Sequence, residues 1–360
     1  MSEKKSVYFP TIDGLRFIAF SLVFFRHFSI YKPSHFLFEI GWVGVELFFL
    51  ISGFLLTKLL VMEVRQNGHI NVKKYFFRRI LRIWPLYYLY LLFIVCLSYF
   101  FLNHPLSVGR FLGNIFFIDN WISSIEQYNQ NVASFHLWSI STEEQYYLFL
   151  PFLIPWLIKR NNKTIAVVFI FVYLILLVCR YLAIQANVEH PFIYVLPISG
   201  DSFFAGILLG LGLYDQFLKK INSFFAFFCG ITIIVIVFFI PGRDVIDINQ
   251  LFIYLLTAVA FSLILISVLF SNNRVFLFLF SNKLIRYLGK ISYGLYIFHI
   301  PVIYCIEKIF LVENPNINIR WSIVLAFALT ILIASASYEL FEKRFLKMKQ
   351  RFKGIENRPI

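Results

Sequence analysis

The chain has 360 residues, 60% of them hydrophobic and only 14% charged. With a mean hydropathy of +0.77, this composition excludes a soluble globular domain and points to a polytopic membrane protein. Its 33 Lys and Arg against 19 Asp and Glu leave a net charge of +14, but the basic residues fall in short loops between apolar runs, so they report membrane topology and no nucleic-acid partner is expected.

The apolar runs predict an all-α polytopic integral membrane protein of about ten transmembrane helices, at roughly 12–31, 41–62, 84–102, 144–158, 165–184, 192–213, 221–240, 250–270, 291–312 and 321–341. The segment MSEKKSVYFPTIDGLR lacks a small-residue cleavage site, so the first run reads as a retained span rather than a signal peptide. If Lys4 and Lys5 are cytoplasmic, so are the loops with Lys73, Lys74, Arg78, Arg79 and Arg82, with Lys159, Arg160 and Lys163, with Lys219 and Lys220, and with Arg274, Lys283, Arg286 and Lys290. The opposite loops hold only Lys32, Arg110, Arg243 and Arg320. That asymmetry puts both termini inside, with residues 1–345 as one transmembrane domain and 346–360 as a basic cytoplasmic tail. Cys96, Cys179, Cys229 and Cys305 lie in apolar runs without metal-ligand spacing; they read as small core residues, and no metal is expected.

The first span, IDGLRFIAFSLVFFRHFSI, carries Asp13, Arg16, Arg26 and His27. Arg16 and His27 are eleven residues apart, which on an α-helix is three turns plus roughly 20° and a rise of about 16 Å. The two side chains share one face, about half a bilayer apart. A charge at mid-membrane costs about 2.5–3.5 kcal/mol, so such groups face a protein interior or a wet cavity. A cation at one end of a cavity with an imidazole deeper in suits an anionic ligand and chemistry at its far end, although a snorkelling Arg and a hydrogen-bonded core His also explain the pair.

The second span, GWVGVELFFLISGFLL, has Glu46 near its outer end and a Ser52-Gly53 pair midway, for which close helix packing is the plain explanation. In YFFRRILRIWPLYYLY, Arg79 and Arg82 share a helix face as a phosphate clamp would, and positive-inside anchoring explains them equally well. The outer loop at about 103–143 ends in FHLWSISTEEQYYLFLP, bringing His136, Trp138, Ser139, Glu143 and Glu144 to the mouth of the fourth span, where Ser before Glu also resembles a helix cap. Weaker landmarks follow: Arg180 with Asp201, and His299 in LGKISYGLYIFHIPV, for which a structural role is expected.

Six blocks in order, DGLRFIAFSLVFFRHF, GVELFFLISGFLL, FRRILRIWPLYY, HLWSISTEEQYYLFLP, FFAGILLG and LGKISYGLYIFHIPV, resemble the transmembrane acyltransferase-3 family of bacterial O-acyltransferases over nearly the whole chain. The resemblance implies a ten-helix enzyme that takes an acyl group, usually acetyl, from cytoplasmic acetyl-CoA and passes it to a hydroxyl, commonly of a surface polysaccharide. The family's Arg–ten residues–His motif falls on Arg16 and His27, its Arg-x-x-Arg on Arg79 and Arg82, its Ser-Gly-Phe on Ser52, Gly53 and Phe54, and its Trp-Ser with a following Glu on Trp138, Ser139 and Glu143. Two positions depart from the pattern: Arg26, where many relatives carry an aromatic, and Ser199, where an Arg two residues before Asp201 is usual.

The residues themselves agree with that chemistry. Acyl transfer to an alcohol needs a base for a weakly acidic hydroxyl and positive charge for the donor's phosphates. The expected assignments are His27 and Glu143 as catalytic groups, Arg16, Arg79 and Arg82 as the acetyl-CoA site, and Asp13, Glu46, Ser52, Gly53, Trp138 and Ser139 in support. Glu143, or else Glu46, is expected to hydrogen-bond His27 or the acceptor hydroxyl. Direct transfer is favoured over an acyl-His intermediate, because no Ser or Cys nucleophile is marked. The chain ends within twenty residues of its last span, so the membrane core is expected to do the whole job or to be completed by a separate protein. The acceptor expected from family frequency is an O-antigen sugar of lipopolysaccharide, free or lipid-linked, ahead of exopolysaccharide and small hydroxylated metabolites. The place expected is the bacterial inner membrane, in contact with its lipid. The competing class is a transporter or flippase of an anionic lipid-linked saccharide, which explains ten spans and intramembrane charge but not the ordered blocks, and which should show paired broken helices that this sequence lacks.

Overall fold

The computed structural model describes residues 8–28, 36–100, 106–125, 133–186, 200–240, 248–271, 273–308 and 319–352. The expectations for Lys4, Lys5, Lys32, Ser199, Arg243 and the last residues of the tail lie outside them. Every regular element among the described residues is helical: α1 Pro10–His27, α2 Phe36–Ile40, α3 Val43–Asn67, α4 Val72–Phe100, α5 Val108–Ile115, α6 Asp119–Ile125, α7 Trp138–Ile158, α8 Asn162–Gln185, α9 Asp201–Leu211, α10 Asp215–Leu218, α11 Ser223–Phe239, α12 Gln250–Phe270, α13 Arg274–Ser281, α14 Lys283–Lys290, α15 Ser292–Ile306, α16 Ile319–Ser337 and α17 Lys343–Lys349. A π-helical turn at Tyr338–Glu342 makes α16 and α17 one continuous rod.

Among the described residues five helices are long and apolar enough to cross a membrane: α3, α4, α8, α12 and the α16–α17 rod. A sixth is added if α14 and α15, bent by 69° at their junction, count as one span. Each of the ten predicted runs overlaps a helix; α9 and α11 are shorter apolar helices, and α1 and α7 are not among those long and apolar enough to cross. Lipid is the solvent this surface suits. On α8, Val167, Ile170, Phe171, Leu174, Val178 and Leu182 are all exposed, a stripe at helical spacing that water would penalise.

Helix α1 is the hub, packed against α2, α3, α12, α13, α14 and α15. On one side Phe20 and Phe24 join Leu295 and Ile303 in an aromatic-rich core; on another Leu15 and Ala19 join Leu47, Phe261 and Phe280. Close crossings depend on missing side chains. A Cβ on Gly289 would drive into the Asp13 backbone, and one on Gly53 would meet the Phe203 carbonyl across the α3–α9 contact, the most extensive helix pair. Gly53→Ala is therefore expected to destabilise the bundle by about 1–3 kcal/mol, read as a lower thermal midpoint in detergent. An unchanged midpoint would mean that α3 and α9 part without cost.

Two regions differ from expectation. The stretch read as an outer loop contains α5 and α6, which fold back along α4 and α7: Tyr87 Oη donates to the Asn114 carbonyl at 3.0 Å, Tyr88 Oη to that of Ile115 at 2.9 Å, and Gln145 Nε2 to that of Phe117 at 2.7 Å. A buried Arg110–Asp119 pair at 2.6 Å ties α5 to α6. The hairpin's helices, of eight and seven residues, are too short to register as spans, while tyrosine hydroxyls satisfy part of its backbone. At the other end, residues 346–352 of the expected tail continue the last helix, with Phe352 stacked on Phe77 at 5.0 Å and Arg78 donating to the Phe352 carbonyl at 3.2 Å.

Candidate functional site: a cationic cavity and a histidine cluster

Three helices bring their basic residues to one cavity of about 110 Å³ at the N-terminal end of α1. Arg16 comes from α1, Arg79 and Arg82 from α4, and Lys349 from α17; Tyr8, Asp13, Ser52, Glu143, Tyr147 and Tyr293 complete its polar lining. The three-residue spacing on α4 puts both arginines on the same wall, as helix geometry requires. Four cations face two carboxylates, so the cavity carries an excess of positive charge when all are ionised.

Each charged group is oriented by its neighbours. Arg16 Nε donates to Ser292 Oγ at 3.1 Å, a contact made possible by the sharp α14–α15 bend that swings Ser292 towards α1. Tyr8 Oη donates to Asp13 Oδ2 at 2.8 Å. The Arg79 guanidinium lies over the Tyr147 ring, 5.9 Å from its centre. Arg82 is within electrostatic reach of the buried Glu342, which the π-helical turn presents. Ser52 donates to Glu143, joining the middle of α3 to α7, and the adjacent Glu144 accepts from Trp84 Nε1 at 3.3 Å. The Ser52-Gly53 pair thus divides its work: glycine packs on α9 and serine faces the cavity.

The second assembly lies at the other end of α1. His27 Nδ1 is 2.8 Å from His299 Nε2 on α15, and the His27 ring meets the edge of Phe135 at 5.0 Å. His299 Nδ1 is 2.6 Å from the Tyr296 carbonyl oxygen. The His136 ring stands 5.2 Å from that of His299, and its Nε2 lies 3.2 Å from the Ile297 carbonyl. Pro301, four residues after Ile297, has no N–H to offer that carbonyl, so the imidazole takes the place of the lost helical donor. Ser139 Oγ and Tyr296 Oη lie 2.6 Å apart and each is 3.1 Å from the His136 carbonyl oxygen, so the two hydroxyl protons serve a closed triangle of three contacts. His136 and His299 are buried, whereas His27 is only partly so. Trp138 packs edge-on against Phe49.

Of the residues singled out in the sequence, Asp13, Arg16, Ser52, Arg79, Arg82 and Glu143 meet in the cavity, and His27, Trp138 and Ser139 belong to the second assembly. Glu143 does not reach His27. It lies five residues, about 7–8 Å of helix rise, further along α7 than Trp138, at the level of Ser52. The ring that meets His27 belongs to His299, which sequence reasoning assigned a structural part. Glu46 is buried in the first turn of α3, within electrostatic reach of Tyr146. Asp201 pairs with Arg180 of α8 rather than with a neighbour in sequence, in a fully buried ion pair where Arg180 also donates to the Leu251 carbonyl at 2.8 Å and covers the Tyr254 ring. Lys349 and Tyr293 carried no sequence signal, since only the return of distant helices brings them to the cavity. Among the described residues no group of His, Cys, Asp and Glu is placed to hold a metal ion.

A multi-helix membrane protein with a cationic cavity at one end of its central helix and an imidazole at the other is what the fold and site define. The chain belongs to the acyltransferase-3 family: residues 9–339 match that family, described as an acyltransferase domain. It is similar to the peptidoglycan O-acetyltransferase OatA of Listeria monocytogenes, 26% identical over 98% of this chain and 58% of that protein. It is likewise similar to the O-acetyltransferase OatA of Staphylococcus aureus strain NCTC 8325, 26% identical over 97% of this chain and 58% of that protein. The chain thus spans somewhat under three-fifths of the length of these relatives. No solved structure matches it.

Proposed function

We propose that this protein is a membrane O-acetyltransferase that moves an acetyl group from cytoplasmic acetyl-CoA to a hydroxyl of a cell-surface glycan. The observation that carries the reading is the gathering of Arg16, Arg79, Arg82 and Lys349 around one cavity, with Arg16 on the helix and face that lead to His27. Guanidinium pairs hold phosphate by charge-assisted, bidentate hydrogen bonds. The donor's phosphates would rest on these cations while its flexible arm extends along α1, and the rise of about 16 Å from Arg16 to His27 suits such an arm. Glu143 and Ser52, midway along the cavity wall, would meet the arm's amides rather than its phosphates.

In the transfer itself His27 accepts the acceptor's hydroxyl proton as that oxygen bonds to the thioester carbonyl carbon. The carbon–sulfur bond then breaks, and the proton goes to the departing thiolate. Family membership favours this reading over the transporter alternative. In this reading ten spans with both termini in the cytoplasm of the bacterial inner membrane, as the basic loops favour, would put the cationic cavity on the side where acetyl-CoA is found. For the acceptor we retain an O-antigen sugar, with peptidoglycan, the substrate in the Listeria relative's name, as the other glycan to assay.

Purified protein in lipid nanodiscs, assayed for release of coenzyme A thiol, tests the donor site. Hydrogen bonds to charged groups contribute about 1.5–3 kcal/mol each, so Arg79→Ala and Lys349→Ala are each expected to raise the KM for acetyl-CoA by roughly 10- to 100-fold, with a far smaller change in kcat. Wild-type KM values in both variants would remove the cavity from the donor site.

A further inference from the structure

We propose that His299 is the positioning residue of His27, fixing which of its two ring nitrogens carries the lone pair; this rests on the reading of His27 as the base. A backbone carbonyl only accepts, so the 2.6 Å contact between His299 Nδ1 and the Tyr296 oxygen places the His299 proton on Nδ1. Neutral His299 then presents its lone pair at Nε2, the atom 2.8 Å from His27 Nδ1. That hydrogen bond requires a donor, and His27 Nδ1–H supplies it. The neutral His27 ring is left with its lone pair on Nε2.

The relay runs in one direction, from the His27 ring through His299 to a main-chain oxygen of α15. Its far end is rigid. His299 is fully buried, with the edge of Phe20 against its ring at 6.1 Å, and Tyr296 is itself held by Ser139 and the His136 carbonyl. His299 touches no substrate in this arrangement. It acts through His27, selecting the tautomer whose Nε2 accepts the hydroxyl proton, and it supports the same ring when the proton arrives. The wrong tautomer would turn a donor towards the acceptor hydroxyl, where an acceptor is needed.

Gln offers a carbonyl oxygen near the place of His299 Nε2, whereas Leu and Phe offer no acceptor. In the nanodisc assay with acetyl-CoA and a glycan acceptor, His299→Leu or His299→Phe is expected to lose about 10²–10³-fold in kcat with the KM for acetyl-CoA and the thermal midpoint near wild type. His299→Gln is expected to stay within about tenfold of wild type, as a conservative replacement of the acceptor would. Nitrogen-15 spectra of histidine-labelled wild-type protein give a reading independent of any folding defect in the variants. The signals lost in His27→Ala should be those of an Nδ1-protonated ring. An Nε2-protonated His27, or full kcat in a folded His299→Leu or His299→Phe, overturns the proposal while leaving His27 as base. Full activity in His27→Ala overturns the underlying reading instead.

Discussion

His27→Ala is expected to abolish glycan O-acetylation in cells while the protein stays folded in its membrane. General acid–base catalysis contributes about 10²–10⁴-fold to a rate, and with no other proton acceptor assigned to the reaction, the loss should lie at the upper end of that range. Stability should change little, because His27 is only partly buried and its ring packs on Phe135 and His299 rather than in a closed core. The check is mass spectrometry of O-antigen and of peptidoglycan from cells without the gene, complemented by wild type or by His27→Ala. An acetyl increment present only with wild type establishes the reaction and the need for His27, and fragmentation names the acceptor. An increment of equal size with His27→Ala would end the proposed mechanism. Identical glycans in all strains would turn the search to small hydroxylated acceptors.

The second large effect is on stability. Arg180 and Asp201 are both 1% exposed and form an ion pair between α8 and α9, with Arg180 also reaching the Leu251 carbonyl and the Tyr254 ring of α12. Removing one member of such a pair strands a charge, which costs about 3–5 kcal/mol, and here it also unties three helices. Arg180→Ala is expected to yield little monodisperse protein in detergent, with a strongly lowered thermal midpoint. Replacing both partners by apolar residues of similar volume, Arg180→Met with Asp201→Leu, should recover much of the loss, because no lone charge is then left buried. A single variant that melts like wild type would show that the pair is not a structural lock.

These two sites differ in how far the sequence discloses them. His27 is legible because helix geometry alone places it on the Arg16 face, whatever surrounds the helix. Arg180 and Asp201 are 21 residues apart in sequence, and the sequence offers them together only as a weak landmark, because no helix rise or turn fixes a contact across that interval. Composition marks the membrane class for the same reason that it marks the apolar runs: lipid leaves no alternative use for so many exposed large side chains.

Local rules therefore determined much of this protein: the helical class, the approximate place of each apolar run, the shared face of Arg16 and His27, and the shared wall of Arg79 and Arg82. All follow from a fixed rise and turn per residue. Tertiary structure decided the depth at which one helix meets another. It set Glu143 beside Ser52 instead of His27, brought His299 to His27 across 272 residues, curled α5 and α6 back along α4, and returned Lys349 to a cavity begun by Arg16. Relative depth depends on where small residues such as Gly53 and Gly289 let backbones touch, and that is a property of two surfaces together.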